Sequence, residues 1–173
     1  MKEYDLHVLL NDDTLVSERI KRFLAEGILR MQQPDPEETR GHLQKADHNL
    51  RFVAKAIEWG FPDWAITGCY YACYQAAMAL ILTRGYSSKN HLATLCILIK
   101  HFYRKELSKE DIATLSQLLD YQDVLYYVES KNKREDASYS SRTRFDRTDV
   151  EKLRIRASLF VSKIKSILTE DVT

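Results

Sequence analysis

The sequence predicts an all-α fold, an antiparallel up-down bundle of four to five core helices with an extra helix at the N-terminus. Three observations carry that prediction. Apolar residues recur at helical spacing through most of the chain. Only five Gly and three Pro occur among 173 residues, and they read as falling between the periodic segments. No stretch alternates apolar and polar residues as a half-buried strand would.

Taken in order, the first helix is expected from about Asp13 to Met31, with Leu15, Val16, Ile20, Phe23, Leu24 and Ile28 on one face. The polar run QQPDP ends it. Asp35, Pro36 and Glu38 then form a start signal: an acid to accept from free backbone N–H groups, a Pro with no N–H to lose, and a carboxylate in the first turn. This second helix should reach Trp59, with Leu43, Ala46, Leu50, Val53 and Ile57 inward, before Gly60, Phe61 and Pro62 stop it. Residues 1–34 are thus read as an N-terminal extension carrying an amphipathic helix, and 35–173 as the bundle. The third helix, Asp63 to Arg84, is apolar on most sides, so it must be surrounded by other helices or partly covered by a second subunit. A fourth follows from about Lys89 to Tyr103. Ser108 caps a fifth, whose inward residues are Ile112, Leu115, Leu118, Leu119, Leu125 and Tyr126. Thr148 and Glu151 read as a capping box for the last helix, to about Leu168, with Val150, Leu153, Ala157, Phe160, Val161 and Ile164 inward.

Composition narrows the classes. Hydrophobic residues are 45% and charged residues 29%, enough to build a core rather than a disordered chain. Lys and Arg (26) balance Asp and Glu (25), so any nucleic-acid surface must be local. Cys69, Cys73 and Cys96 lie in apolar helical runs, an odd count without framework spacing, which points to a reducing, cytoplasmic setting. Cys69 and Cys73 share a face at i,i+4, but no His or Cys completes a zinc spacing, so no metal or cofactor is expected. The start MKEYDLHVLLNDD carries early acids and no long apolar core, unlike a signal peptide. The longest uninterrupted apolar run, Ala76 to Leu82, is too short for a bilayer, so no membrane partner is expected.

The residues that can carry chemistry sit around the end of the third helix. Arg84 is followed, after six residues, by His91 at the start of the next helix, which reads as one Arg and one His held together at a helix junction. Such a pair can cleave RNA by activating its own 2′-hydroxyl. The imidazole moves the proton near neutrality, and the planar guanidinium offsets charge on the phosphorane. The positive end of the helix dipole favours a neutral imidazole there, and Ser87, Ser88 and Asn90 offer hydrogen bonds to substrate. A structural account covers the same residues: Arg84 offsets bare carbonyls at a helix end, His91 pins one helix to another, and Ser88 is the N-cap. Between Lys131 and Arg147, KNKREDASYSSRTRFDR carries six basic residues with interleaved aromatics. Arg134, Tyr139, Arg142 and Arg144 there could hold a single strand, or form an ordinary solvated loop.

The order of these parts resembles the HEPN domains, small helical bundles of bacteria and archaea. The likeness spans roughly Glu37 to Leu168. It rests on LQKADHNLRFVAKAI, on the block AITGCYYACYQAAMALILTRGYSSKNH, on REDASYS, and on the closing FVSKIKSIL. The resemblance implies a bundle that pairs through its central helices. It also implies either a metal-independent ribonuclease of toxin or defence type, with Arg84 and His91 catalytic, or a non-catalytic module. That module would bind a nucleotide or a partner minimal nucleotidyltransferase. Where the nuclease pattern favours a polar residue directly after the Arg, this chain has Gly85. A homodimer, an RNA substrate and nucleotidyltransferase binding are the partner expectations.

Overall fold

A computed structural model describes residues 5–132 and 146–170, with side chains for all of these except 121–132 and 170. The elements are α1 (Leu6–Asn11), α2 (Asp13–Ala25), β1 (Leu29–Met31), α3 (Pro36–Glu58), α4 (Pro62–Leu82), β2 (Tyr86–Ser88), α5 (His91–His101), α6 (Lys109–Asn132) and α7 (Arg147–Glu170). The fold is an all-α bundle, as the periodicity predicts.

The caps show why the helices begin where they do. The Asp35 carboxylate accepts from the N–H groups of Glu37 and Glu38, and Pro36 opens α3. Ser108 and Asp111 bond reciprocally at the start of α6, Ser108 N donating to Asp111 Oδ2 at 2.8 Å and Asp111 N to Ser108 Oγ at 3.2 Å. For α7 the cap is Asp146 rather than Thr148, because the Asp146 carboxylate accepts from Thr148 N at 3.0 Å.

The first expected helix is corrected. It stops at Ala25, where Gly27 at φ +69° lets Ile28 N reach back to Phe23 O at 2.9 Å and Gly27 N to Leu24 O at 3.1 Å. The chain then leaves the helix as β1, which pairs antiparallel with β2: Leu29 opposite Ser88, Arg30 opposite Ser87, Met31 opposite Tyr86. Three residues per strand are too few to show alternation in sequence. Gly41 and Gly68 also depart from the expectation, since both lie inside helices.

Helix α4 is the axis of the bundle. Ala65, Ile66, Cys69, Ala72, Cys73, Ala76, Ala77, Leu80 and Ile81 are all fully buried. It packs against α3, α5, α6 and α7. A helix this apolar has no polar face to offer water, so it is covered on nearly all sides. By length and composition its 21 residues could cross a membrane, yet most of the helix is buried inside the protein. Of the two kinds of cover the sequence allowed, other helices or a second subunit, the chain's own helices supply most of it. Close approach to α3 is possible because Gly68 has no side chain: a Cβ there would stand 2.7 Å from Val53 Cγ2.

On α3, Ala46, Val53, Ala56 and Ile57 are buried, while Leu43 and Leu50 are half-buried against the same core. All six expected inward residues of α7 are buried, as are Ile112, Leu115, Leu118 and Leu119 of α6. Leu125 and Tyr126 fall outside the described side chains. Each large apolar side chain buried this way stabilises by about 1.5–3 kcal/mol. Polar ties bind the layers at their edges: Lys165 Nζ donates to both Asp47 oxygens at 2.6 Å, and Lys100 Nζ donates to Asp13 Oδ2 at 2.7 Å and Ser17 Oγ at 2.9 Å.

One connection departs from a simple up-down path. Tyr70 and Tyr74 meet His91, Met78 meets Thr94, and Arg84 meets Phe102. The paired numbers rise together, so α5 runs in the same sense as α4. Strand β2 makes the return journey, held by β1 from the N-terminal segment.

Candidate functional site

Arg84 lies just past the last turn of α4, where Arg84 N donates to Ile81 O. Gly85 follows at φ +73°, with the Gln32 carbonyl only 3.0 Å from where a Cβ would stand. That contact explains why no polar residue follows the Arg: this position is left-handed and pressed against the N-terminal segment. The Arg84 guanidinium lies over the Phe102 ring, 5.2 Å from its centroid, and pairs with Glu106 Oε1 at 3.8 Å. Such a separation is an ion pair but too long for a hydrogen bond. The side chain is 42% exposed, and among the described residues its guanidinium makes no hydrogen bond. It rims an open groove of about 640 Å³ shared with Met31, Gln32, Gln33, Pro34 and Thr83.

His91 opens α5 in different company. Asn90 is the N-cap, its side-chain oxygen accepting from Ala93 N at 2.9 Å. Ser88, expected as that cap, is buried in β2. Its hydroxyl donates to Asn90 O at 2.9 Å and accepts from Asn90 N at 3.1 Å. The His91 ring is half-buried and meets Tyr70 and Tyr74 edge to face, with centroids 5.4 and 4.8 Å away. The Tyr70 hydroxyl stands 2.9 Å from Nε2 and 3.2 Å from Nδ1, facing the ring edge between the nitrogens. Burial pushes the Tyr74 hydroxyl up in pKa, partly offset by a hydrogen bond with Thr94.

The neighbours described for the two differ: Phe102 and Glu106 for Arg84, Tyr70 and Tyr74 for His91. Arg84 meets Phe102, at the far end of α5 from His91, and eleven helical steps correspond to about 16 Å. The expectation of a close pair assumed that a short loop keeps its ends together. Here the loop contains a strand, and a strand travels about 3.3 Å per residue.

A second imidazole, His101, to which the sequence assigned no role, ends α5. Its half-buried ring packs against Tyr86, centroids 5.4 Å apart. Burial lowers its pKa, and Arg84, Lys105 and Lys100 lower it further. The neighbouring Arg104 adopts a left-handed φ of 62°. No spacing rule could have singled out His101, because its neighbourhood is made by β2 rather than by position along the chain.

Of the other expected residues, Ser87 is half-buried in β2 opposite Arg30. The Ser88 hydroxyl and the Asn90 side-chain oxygen are committed to the local bonds above. Arg134, Tyr139, Arg142 and Arg144 lie outside the described residues. The three cysteines are free and buried; burial pushes the Cys69 thiol up to about 12 and Cys96 to about 11. Among the described residues no three His, Cys, Asp or Glu side chains converge as metal ligands. Exposed large apolar side chains gather at the α3–α4 hairpin: Phe52, Trp59, Phe61, Trp64 and Tyr71.

The model of the HEPN domain family matches residues 39–167. A Methanocaldococcus jannaschii protein named "Putative toxin" is 25% identical over 126 residues, 73% of this chain and 78% of its own length. A UPF0332 protein of Archaeoglobus fulgidus is 24% identical over 135 residues, 78% of this chain and 98% of its own. The crystal structure of TT1696 from Thermus thermophilus superposes with a TM-score of 0.57 at 20% identity, covering 74% of this chain and 96% of that one. At that identity the likeness speaks for the fold alone.

Proposed function

Because the chain belongs to the HEPN domain family, we propose that it is a toxin-class protein that cleaves RNA without a metal, by attack of the 2′-hydroxyl on the adjacent phosphodiester. The observation that carries this reading is the state of Arg84. The residue lines an open groove, its side chain is 42% exposed, and its guanidinium makes no hydrogen bond among the described residues. A planar fork of free donors suits two phosphate oxygens, and it becomes more valuable as charge builds on the phosphorane. The Phe102 face beneath it and Glu106 beside it hold the side chain at the rim. A relative named as a toxin agrees with the class.

The test is incubation of wild type and Arg84→Ala with a mixed RNA in EDTA, reading 3′ ends for cyclic phosphate. Wild type should cleave and leave cyclic ends, with the variant slower by roughly 100-fold or more. Equal cleavage by both proteins, or cleavage abolished by EDTA, would refute the reading.

A second reading is the non-catalytic module. The observation that favours it is His91, whose half-buried ring is engaged by Tyr70 and Tyr74. Under it, the exposed aromatics of the α3–α4 hairpin would receive a partner such as a minimal nucleotidyltransferase or a second copy. A stable complex together with no turnover by wild type would decide for it.

A further inference from the structure

We propose that the groove beside Arg84 is a base-recognition site. In it the N-terminal segment, residues 31–34, selects the nucleotide: Met31 covers the face of the base and Gln33 pairs with its edge. This rests on the reading of Arg84 as a phosphate contact and names what chooses the strand it holds.

The groove has two walls. One is the end of α4, with Thr83, Arg84 and Gly85; the other is residues 31–34 of the N-terminal segment. The second wall is tied to the first and to α3. Gln32 N donates to Gly85 O at 2.9 Å, Met31 stands opposite Tyr86 across the two strands, and Gln32 Nε2 donates to Glu38 Oε2 at 2.8 Å. The Met31 methyl carbon, Cε, lies 3.8 Å from where a Gly85 Cβ would stand, beside the residue that follows Arg84. A guanidinium and an apolar surface are therefore mounted on adjoining walls of one groove.

The parts suit a nucleotide better than a bare anion. At about 640 Å³ the groove falls in the range of small-molecule sites and exceeds what a phosphate group fills. Arg84 is the one charged residue among the described residues that line it, so no carboxylate in the lining opposes an anion. Met31 is 62% exposed, and its thioether is a polarisable surface of the kind that packs on aromatic rings. Gln33 is exposed, and its side-chain amide makes no hydrogen bond among the described residues. That amide presents a donor and an acceptor side by side, the pattern that pairs with the edge of an unstacked base. Gln32 is not available for this, because its amide is committed to Glu38.

The segment also lies outside the part of the chain that defines the family. Residues 31–34 precede the matched region, 39–167, so base selection is an addition made by this chain's own N-terminal extension.

The test measures binding, not turnover. Wild type is titrated, with fluorescence anisotropy as the readout, into four labelled hexadeoxynucleotides that differ only in their two central bases. Lacking the 2′-hydroxyl, they cannot be cut by attack of that group. Wild type should prefer one of them by about fivefold or more, the discrimination of one good amide–base pair. Gln33→Ala should narrow the spread to less than about twofold with an unchanged melting curve. Arg84→Ala should weaken all four by a similar factor and keep their order, as loss of a phosphate contact does. Equal binding of the four, no binding, or a preference that survives in Gln33→Ala overturns the proposal. Displacement of the oligonucleotide by hexaglutamate at equal charge also overturns it, since the groove would then be a general anion rim. If the Gln33-dependent preference is found but wild type leaves the mixed RNA intact, the nuclease reading fails and the base site stands. If wild type cleaves while its preference ignores Gln33, the base site fails alone.

Discussion

Replacing Gly85 by Ala tests how the N-terminal segment holds the Arg84 loop. Gly85 sits at φ +73°, and an added Cβ would stand 3.0 Å from the Gln32 carbonyl oxygen. That oxygen belongs to backbone fixed in place, since Gln32 N donates to Gly85 O at 2.9 Å. A left-handed L-residue costs about 1–2 kcal/mol, and the reduced freedom of the unfolded chain returns about 0.4–1 kcal/mol. Overpacking against a carbonyl that cannot swing aside adds at least about 1 kcal/mol. The net loss is then about 2 kcal/mol, which lowers Tm by about 4–8 °C in a chain of this size. Gly27 separates the contributions, because it has φ +69° but nothing within 4 Å of its Cβ position. Gly27→Ala should cost only the backbone part, about 1 kcal/mol or less. Gly41, in the second turn of α3 with open space and an ordinary helical conformation, should gain up to about 1 kcal/mol on becoming Ala. Urea unfolding of the three variants measures all of this. Equal losses at Gly85 and Gly27 would refute the contact with Gln32, and a neutral Gly85→Ala would refute the placement of the N-terminal segment against Gly85.

Two further outcomes follow from ionisation. His101 has a lowered pKa in the fold, so its contribution to stability is present above its unfolded value near 6.5 and is lost as pH falls through the lower folded value. Stability should therefore decline as pH falls below about 6.5, and His101→Gln should flatten part of that slope; an identical slope in the variant would contradict the burial and the nearby cations described. With Cys69 pushed up to about 12, Cys96 to about 11 and Cys73 raised by burial, no thiol should react with a disulfide reagent at about pH 8 in the native protein. All three should react after denaturation, and one fast thiol in the native state would show that α4 or α5 is less sealed than its packing implies.

Much of this architecture is local chemistry and was therefore legible. Asp35 with Pro36 starts α3 because an N-cap acid and a proline without an N–H solve the same end problem. The inward residues of α7 follow from a period of about 3.6 against a single core. The apolar girth of α4 required that it be surrounded, and it is. Less was legible wherever two distant segments meet. Ile28 continues a helical stripe in the sequence, yet Gly27 and the pairing of Leu29 with Ser88 draw the chain out as a strand. That choice is made by residues nearly sixty positions away.

The candidate site divides along the same line. An Arg able to reach solvent follows the most buried helix, and an imidazole begins the next; both are end-of-helix positions, readable from periodicity and caps in the chain alone. What Arg84 and His91 each meet was left to the packing of distant segments. The six residues between Arg84 and His91 could have formed a tight turn, but three of them find hydrogen-bond partners in β1 and run back along α4. An extended strand spends its length on distance, so Arg84 meets the C-terminal end of α5 through Phe102 while His91 opens its first turn.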